Sequence, residues 1–325
     1  MASWDSLFFR PTRVPPTTVD SKSVQLSFPA HASPDDEAKQ THGFVAVVTL
    51  DNAAVLNALT RDEIMLLIAT LQWIGEQPEI LVVVLTGRGR FFSAGANFNQ
   101  SARSAARPPI LDELDREDPR HVLERRKYNL QLIATTQSML CRTLVGLDKL
   151  VVGALNGPVV GISAVMVSYC DLIYTHDDFW LATPFSSLAL VAEGGSTLSF
   201  SRKMGMGRAQ QALLEGRKMP AKELLEAGFV SKIFEAPPKP AGADKHYTPP
   251  ILDLVLDHIR DRHLPPTLDP FALLYTKRLI RDANYKPSSF VEASEAEARG
   301  AEAVFDSDRV EKQFLRISGG ARHKL

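Results

Sequence analysis

The chain has 325 residues, 45% of them hydrophobic and 23% charged, an ordinary globular composition long enough to bury a large core. Lys and Arg number 37 and Asp and Glu 38, so the net charge is −1 and neither a nucleic-acid footprint nor an electrostatic membrane binder is indicated. Two cysteines, Cys141 and Cys170, lie among apolar residues and read as buried reduced thiols, which fits a reducing compartment better than a disulfide.

In chain order, residues 1–22 are rich in Pro and Thr and predict a flexible N-terminal arm without the long apolar core of a secretory signal. "SVQLSF" (23–28) and "FVAVVTL" (44–50) predict paired strands around a polar loop. "TRDEIMLLIATLQWIGEQ" predicts a helix that opens on a capping box, with Thr60 as N-cap and Glu63 at its third position. "ILVVVLTG" (80–87) is a continuous apolar run of the kind buried on both faces of a sheet.

Residues 101–120 are charged and Pro-containing and predict a surface loop or short helix, followed by a helix over roughly 121–146. From Leu150 to Cys170 no residue is charged, and the stretch is long enough to span a bilayer. The turn signal at Asn156–Pro158 interrupts it, so it reads as a buried strand, a turn and a small-residue helix. "DLIYTH" (171–176) and "FWLATP" (179–184) predict strands, and residues 208–235 two helices and a strand. Residues 236–250 read as a linker-like loop, and the remainder as amphipathic helix, notably over 289–317. The expected organisation is an arm (1–22), an α/β core domain (23–250) and a helical C-terminal region (251–325).

Several motifs fail on inspection. "GRGRFF" and "GMGRAQ" lack the third glycine of a dinucleotide fingerprint, "GISAV" ends in valine where a nucleophile elbow needs glycine, and the eight histidines show no metal spacing. What remains are two glycine-containing turns after apolar strands, "GRFFSAGANF" (89–98) and "NGPVVGISA" (156–164). Small residues there let backbone N–H groups approach a ligand, and two such turns converging on one point could form an oxyanion hole. A third feature is "VAEGGST" (191–197), which puts the carboxylate of Glu193 after an apolar run and before two glycines. Burying a lone carboxylate costs several kcal/mol unless it is neutralised or paired, so its place there needs a reason.

With these motifs in this order, the sequence from about Phe44 to Phe234 resembles the crotonase, or enoyl-CoA hydratase/isomerase, superfamily. "LNALT" (56–60) is similar to the family's loop near the CoA adenine, "FFSAGANF" to its first oxyanion turn, "LNGPVVGISA" to its second, and residues 170–195 to the strand pair and glycine turn that close its acyl pocket. The resemblance implies a crotonase-like spiral of ββα units with a C-terminal helical trimerisation region. It implies an acyl-CoA thioester as substrate, no separate cofactor because the substrate carries coenzyme A, and a homotrimer or homohexamer. The implied oxyanion donors are the N–H groups of Ala96 and Ile162. Implied substrate contacts are Ser93, Ala94, Gly95, Asn97, Asn57, Ala58 and Leu59.

Hydratases of this family use two glutamates, and the corresponding positions here hold Val165 and Phe185, which cannot carry a proton. Glu193 instead matches the pattern of peroxisomal Δ3,Δ2-enoyl-CoA isomerases, in which one glutamate takes a proton from C2 and returns it to C4. Desolvation raises a carboxyl pKa, which suits one group to both halves of that transfer. The resemblance thus implies an isomerase of fatty acid β-oxidation with Glu193 as the catalytic residue. Alternatives are another crotonase-type acyl-CoA reaction, hydration or a secondary-metabolite step, and a non-catalytic acyl-CoA-binding member.

Two departures stand out. Asn97 occupies a position often held by aspartate, and "NAAVLNAL" lacks a basic residue before Leu56, so Lys277 and Arg278 become candidates for the CoA phosphates, against a solvated helix face. The chain ends in His323, Lys324 and Leu325, a variant of the S-K-L peroxisomal address read by an import receptor, with a frayed basic tail and a cytoplasmic protein as the alternative.

Overall fold

The protein is described by a computed structural model over residues 23–28, 44–78, 80–97, 108–115, 117–132, 139–185, 192–236 and 250–285. The expected N-terminal arm, the amphipathic run 289–317 and the terminal tripeptide lie outside the described residues.

A six-stranded sheet organises the core. Its strands are β1 (Val24–Ser27), β2 (Phe44–Leu50), β3 (Ile80–Gly87), β4 (Leu150–Leu155), β6 (Leu172–Thr175) and β9 (Lys232–Ile233), in that spatial order. β1 pairs antiparallel with β2, Val24 opposite Leu50, as the paired reading of 23–28 and 44–50 predicts; every other pair is parallel. A second, three-stranded sheet was not legible in the sequence. It joins β5 (Val159–Val160), β7 (Trp180–Ala182) and β8 (Met219–Pro220) in the order β5-β7-β8.

The helices are α1 (Arg61–Glu76), α2 (Ile110–Glu113), α3 (Pro119–Leu132), α4 (Met139–Gly146), α5 (Ile162–Val167), α6 (Ser196–Gln210), α7 (Ala221–Glu226), α8 (Leu252–Arg262) and α9 (Pro270–Tyr285). α1 opens on the expected capping box: the Thr60 N–H donates to Glu63 Oε2 at 2.6 Å and the Glu63 N–H to Thr60 Oγ1 at 3.3 Å. The single helix expected over 121–146 is α3 and α4 on either side of residues 133–138, which lie outside the described residues.

β3 shows why its sequence is apolar throughout. Val83 and Leu85 face a core shared with Leu67, Leu71 and Ile74 of α1, while Val82 and Val84 face a second core shared with Val255 and Ile259 of α8. A strand covered by helices on both faces has no solvent side to alternate toward. The uncharged stretch from Leu150 to Cys170 is β4, a turn, β5 and α5, and no helix among the described residues is long and apolar enough to cross a membrane.

Candidate active site

The two glycine turns follow β3 and β4 at the carboxyl ends of adjacent parallel strands, where ligand sites gather in α/β sheets. They are stitched together by backbone. The Phe92 N–H donates to Pro158 O at 3.1 Å and the Val160 N–H to Ser93 O at 3.0 Å, with Ser93 bridged in parallel to Val159. Ser93 Oγ lies 2.7 Å from Ser163 Oγ and donates to Asn57 O at 2.7 Å, so one buried hydroxyl links the first turn, the second turn and the 3₁₀ loop at Ala53–Val55. Gly95 has φ +90°, and a Cβ there would lie 2.6 Å from Val160 O. Only glycine permits that approach.

This pairing orients the donors. Leu59 donates to Gly95 O and accepts from the Asn97 N–H, both at 2.8 Å, which turns the N–H of Ala96 away from Leu59. Ile162 is the first residue of α5, preceded by Gly161 at φ 60° and ψ −130°, and a first-turn N–H has no partner inside its own helix. Neither the Ala96 N–H nor the Ile162 N–H meets an acceptor among the described residues.

Around them lies an apolar cluster of Cys141, Ile162, Val165 and Phe185, with Ala96, Tyr169, Ala192 and Leu213 packed against it. Val165 and Phe185 are fully buried here, so apolar side chains fill the two positions where the family pattern puts proton-carrying groups. Glu193 enters beside the cluster directly after Ala192 and is half-buried. Its carbonyl accepts from the Ser196 N–H at 3.0 Å, closing the turn that starts α6. Burial first, and the charge of Glu193 second, push the Cys141 thiol up to about 12.

Several residues of the implied contact set are engaged within the protein itself. Asn57 is fully buried at φ 54°, its Nδ2 donating to the carbonyls of Arg88, Phe91 and Phe92 and its Oδ1 accepting from the Asn52 N–H at 2.7 Å. Its side chain is therefore tied into the loops that shape the first turn, as is that of buried Ser93. Leu59 is also buried, whereas Ala58, Ala94 and Asn97 are half-exposed. Lys277 is not a free cation: it pairs with Asp171 Oδ2 at 2.8 Å and bonds Lys149 O. Arg278 pairs with Asp148 at 2.8 Å, so both side chains dock α9 onto the core.

Asn57→Ala should destabilise the protein by about 3 kcal/mol, because it removes at once four hydrogen bonds of a fully buried side chain, the one to Phe92 O itself buried. Denaturant unfolding checks this. A loss below about 1 kcal/mol would mean that the loop reorganises around the gap.

A sequence profile described as enoyl-CoA hydratase/isomerase matches residues 40–113 and 117–237, more than half of the chain. The chain belongs to the enoyl-CoA hydratase/isomerase family. It is 36% identical over 290 residues to a Delta(3,5)-Delta(2,4)-dienoyl-CoA isomerase of Pyricularia oryzae, covering 87% of this chain and 96% of that one. It is 28% identical over 251 residues to a 3,2-trans-enoyl-CoA isomerase of Saccharomyces cerevisiae, covering 77% and 84%. Among solved structures, an enoyl-CoA hydratase subunit from Geobacillus kaustophilus superposes with a TM-score of 0.67 at 21% identity, over 94% of this chain and 99% of that one. An enoyl-CoA hydratase from Bacillus anthracis gives 0.64 at 21% identity, over 90% and 96%. The crotonase fold expected from the motifs is therefore the fold of this family member.

One element that sequence reasoning missed is Tyr169, whose hydroxyl donates to Gly194 O at 2.6 Å. The only signal was its position seven residues after Ile162, two helical turns further along the same segment.

Proposed function

We propose that the chain is an enoyl-CoA isomerase that moves the double bond of a 3-enoyl-CoA from C3 to C2, with Glu193 as its single acid/base. The observation that carries this reading is the apolar cluster, which gathers Ala96, Ile162 and the Glu193 turn and seals the alternative proton sites with Val165 and Phe185. Glu193 takes the C2 proton; the electron pair left behind delocalises onto the thioester oxygen, which accepts from the N–H groups of Ala96 and Ile162. The protonated carboxyl then delivers that proton to C4, and C3=C4 becomes C2=C3. Electrons and atoms balance within the substrate, so the reaction needs no cofactor beyond the coenzyme A the substrate carries. Donors preorganised at a developing oxyanion are each worth about 2.7–4 kcal/mol of barrier. The apolar surroundings also exclude the activated water that hydration requires.

The second reading is isomerisation of a 3,5-dienoyl-CoA to the 2,4-dienoyl product, favoured by the relative from Pyricularia oryzae. That reaction removes a proton from C2 and returns one to C6, four carbons away instead of two. A carboxyl on one turn serves C2 and C4 more readily than C2 and C6, which would call for a second acid. Other carboxylates of this region have other roles or places: Asp171 pairs with Lys277 and accepts from the Val151 N–H, and Asp177 and Asp178 are exposed. Turnover of both substrates by purified protein decides between them. A kcat/KM at least about tenfold higher on the 3-enoyl-CoA, worth 1.4 kcal/mol in the transition state, is the expected result; the reverse preference would favour the dienoyl reaction. A role in peroxisomal β-oxidation belongs to the proposal through His323–Leu325, whose deletion from a fluorescent fusion should disperse the protein. Assembly as a trimer or hexamer, read out by mass in solution, belongs to it through the family resemblance.

A further inference from the structure

The two glycines after Glu193 are there because protein packs against both. Gly194 has φ 60°, and a Cβ on it would lie 2.9 Å from Cys141 Sγ and Val165 Cγ1 and 3.3 Å from Ile162 Cδ1. Gly195 has φ 73°, and a Cβ on it would lie 2.6 Å from the Tyr169 hydroxyl. The turn that carries Glu193 is thus wedged between the apolar cluster on one side and Tyr169 on the other. Gly194, Gly195 and Tyr169 also line a cavity of about 650 Å³ together with Arg142, Arg281 and Tyr285. There the Tyr169 hydroxyl ties the turn through its bond to Gly194 O.

Tyr169 and Ile162 stand on one short segment. Ile162 starts α5 and its side chain occupies space a Cβ on Gly194 would crowd; Tyr169 follows the C-cap Ser168 and grips the carbonyl of the same glycine. The segment is a rigid link between the oxyanion donor and the turn of the base. The Tyr169 ring is held in its turn, with its centroid 5.8 Å from that of Tyr285 on α9, over which Arg202 lies at 5.2 Å.

We propose that Tyr169 is a positioning residue for the base: its hydroxyl fixes the Gly194 peptide and so sets the reach of the Glu193 carboxyl relative to the thioester oxygen. The inference rests on the isomerase reading above and deepens it. Burial raises the phenol above its ordinary range, so the hydroxyl stays a donor at any working pH. A carboxyl that must serve C2 and then C4 is sensitive to such placement, and a displacement near 1 Å can cost up to about 10²-fold.

The test compares Tyr169→Phe with Glu193→Gln and the wild type on a 3-enoyl-CoA. Tyr169→Phe keeps the ring and removes only the donor. Its kcat should fall by about tenfold or more with KM changed less than about twofold, since positioning acts on the transition state and not on uniform binding. A second handle is Gly195→Ala, whose Cβ displaces the hydroxyl while Tyr169 stays. The Tyr169→Phe/Gly195→Ala double variant should lose no more kcat than the worse single variant, because both changes act on the same hydroxyl. Retention of kcat within twofold by Tyr169→Phe, or a double variant whose losses multiply, overturns the proposal while an inactive Glu193→Gln leaves the base assignment standing. If Glu193→Gln itself turns over normally, the base assignment falls and this proposal falls with it.

Discussion

Replacing Glu193 with glutamine should lower kcat on a 3-enoyl-CoA by about 10³-fold, within the range of a lost general acid–base group. That corresponds to about 4 kcal/mol of barrier. Glutamine has nearly the shape of glutamate, and the turn is closed by the Glu193 carbonyl accepting from the Ser196 N–H, which the substitution leaves in place. The melting temperature and KM should therefore change little, separating chemistry from folding and binding. A variant retaining more than about a tenth of wild-type kcat would sink the single-base mechanism, because the other proton-bearing side chains of the cluster, Cys141 and Tyr169, are both held above their ordinary pKa range by burial.

The second large effect concerns a donor that belongs to the backbone, so that ordinary side-chain substitution cannot remove it. Ile162 is the first residue of α5, the helical position at which proline is best tolerated because its N–H has no intrahelical role. Ile162→Pro deletes that N–H while Gly161 O continues to accept from Ala164 and Val165. The expected loss is about 10²–10³-fold in kcat, the cost of one oxyanion donor. Some loss will come from packing, since Ile162 is buried against Gly194; Ile162→Val controls for this at about 0.5–1.5 kcal/mol of stability with the donor kept. Equal kcat values for the proline and valine variants would remove Ile162 from the oxyanion site.

How much of this was legible beforehand follows from the range of each interaction. The capping box at Thr60 and Glu63, the strands flanking the core and the two glycine turns are local patterns, and they stand where the sequence placed them. Glu193 was conspicuous because a carboxylate after an apolar run is locally anomalous. What the sequence hid depends on distant partners. The resemblance offered Asn57 and Ser93 to the substrate, yet each has its polar atoms engaged by backbone or a facing serine from another turn. Lys277 looked like a loose cation on a helix until Asp171, far off in the chain, was found opposite it. Of the β5-β7-β8 sheet only β7 was legible, within the strand expected over 179–184; β5 and β8 are two residues long, too short for any period to register. Tyr169 was missed for a related reason: nothing adjacent to it in the chain announces a bond to Gly194.

The most direct test of the central claim is the ratio of two activities in one preparation of wild-type protein: isomerisation of a 3-enoyl-CoA and hydration of a 2-enoyl-CoA. If Glu193 is the single acid/base of an apolar pocket, as proposed, the protein should isomerise while hydrating at a rate no greater than buffer. Hydration comparable to isomerisation, and persisting in Glu193→Gln, would contradict the account. It would place the water-activating group elsewhere and leave Glu193 as a residue of the turn ahead of α6.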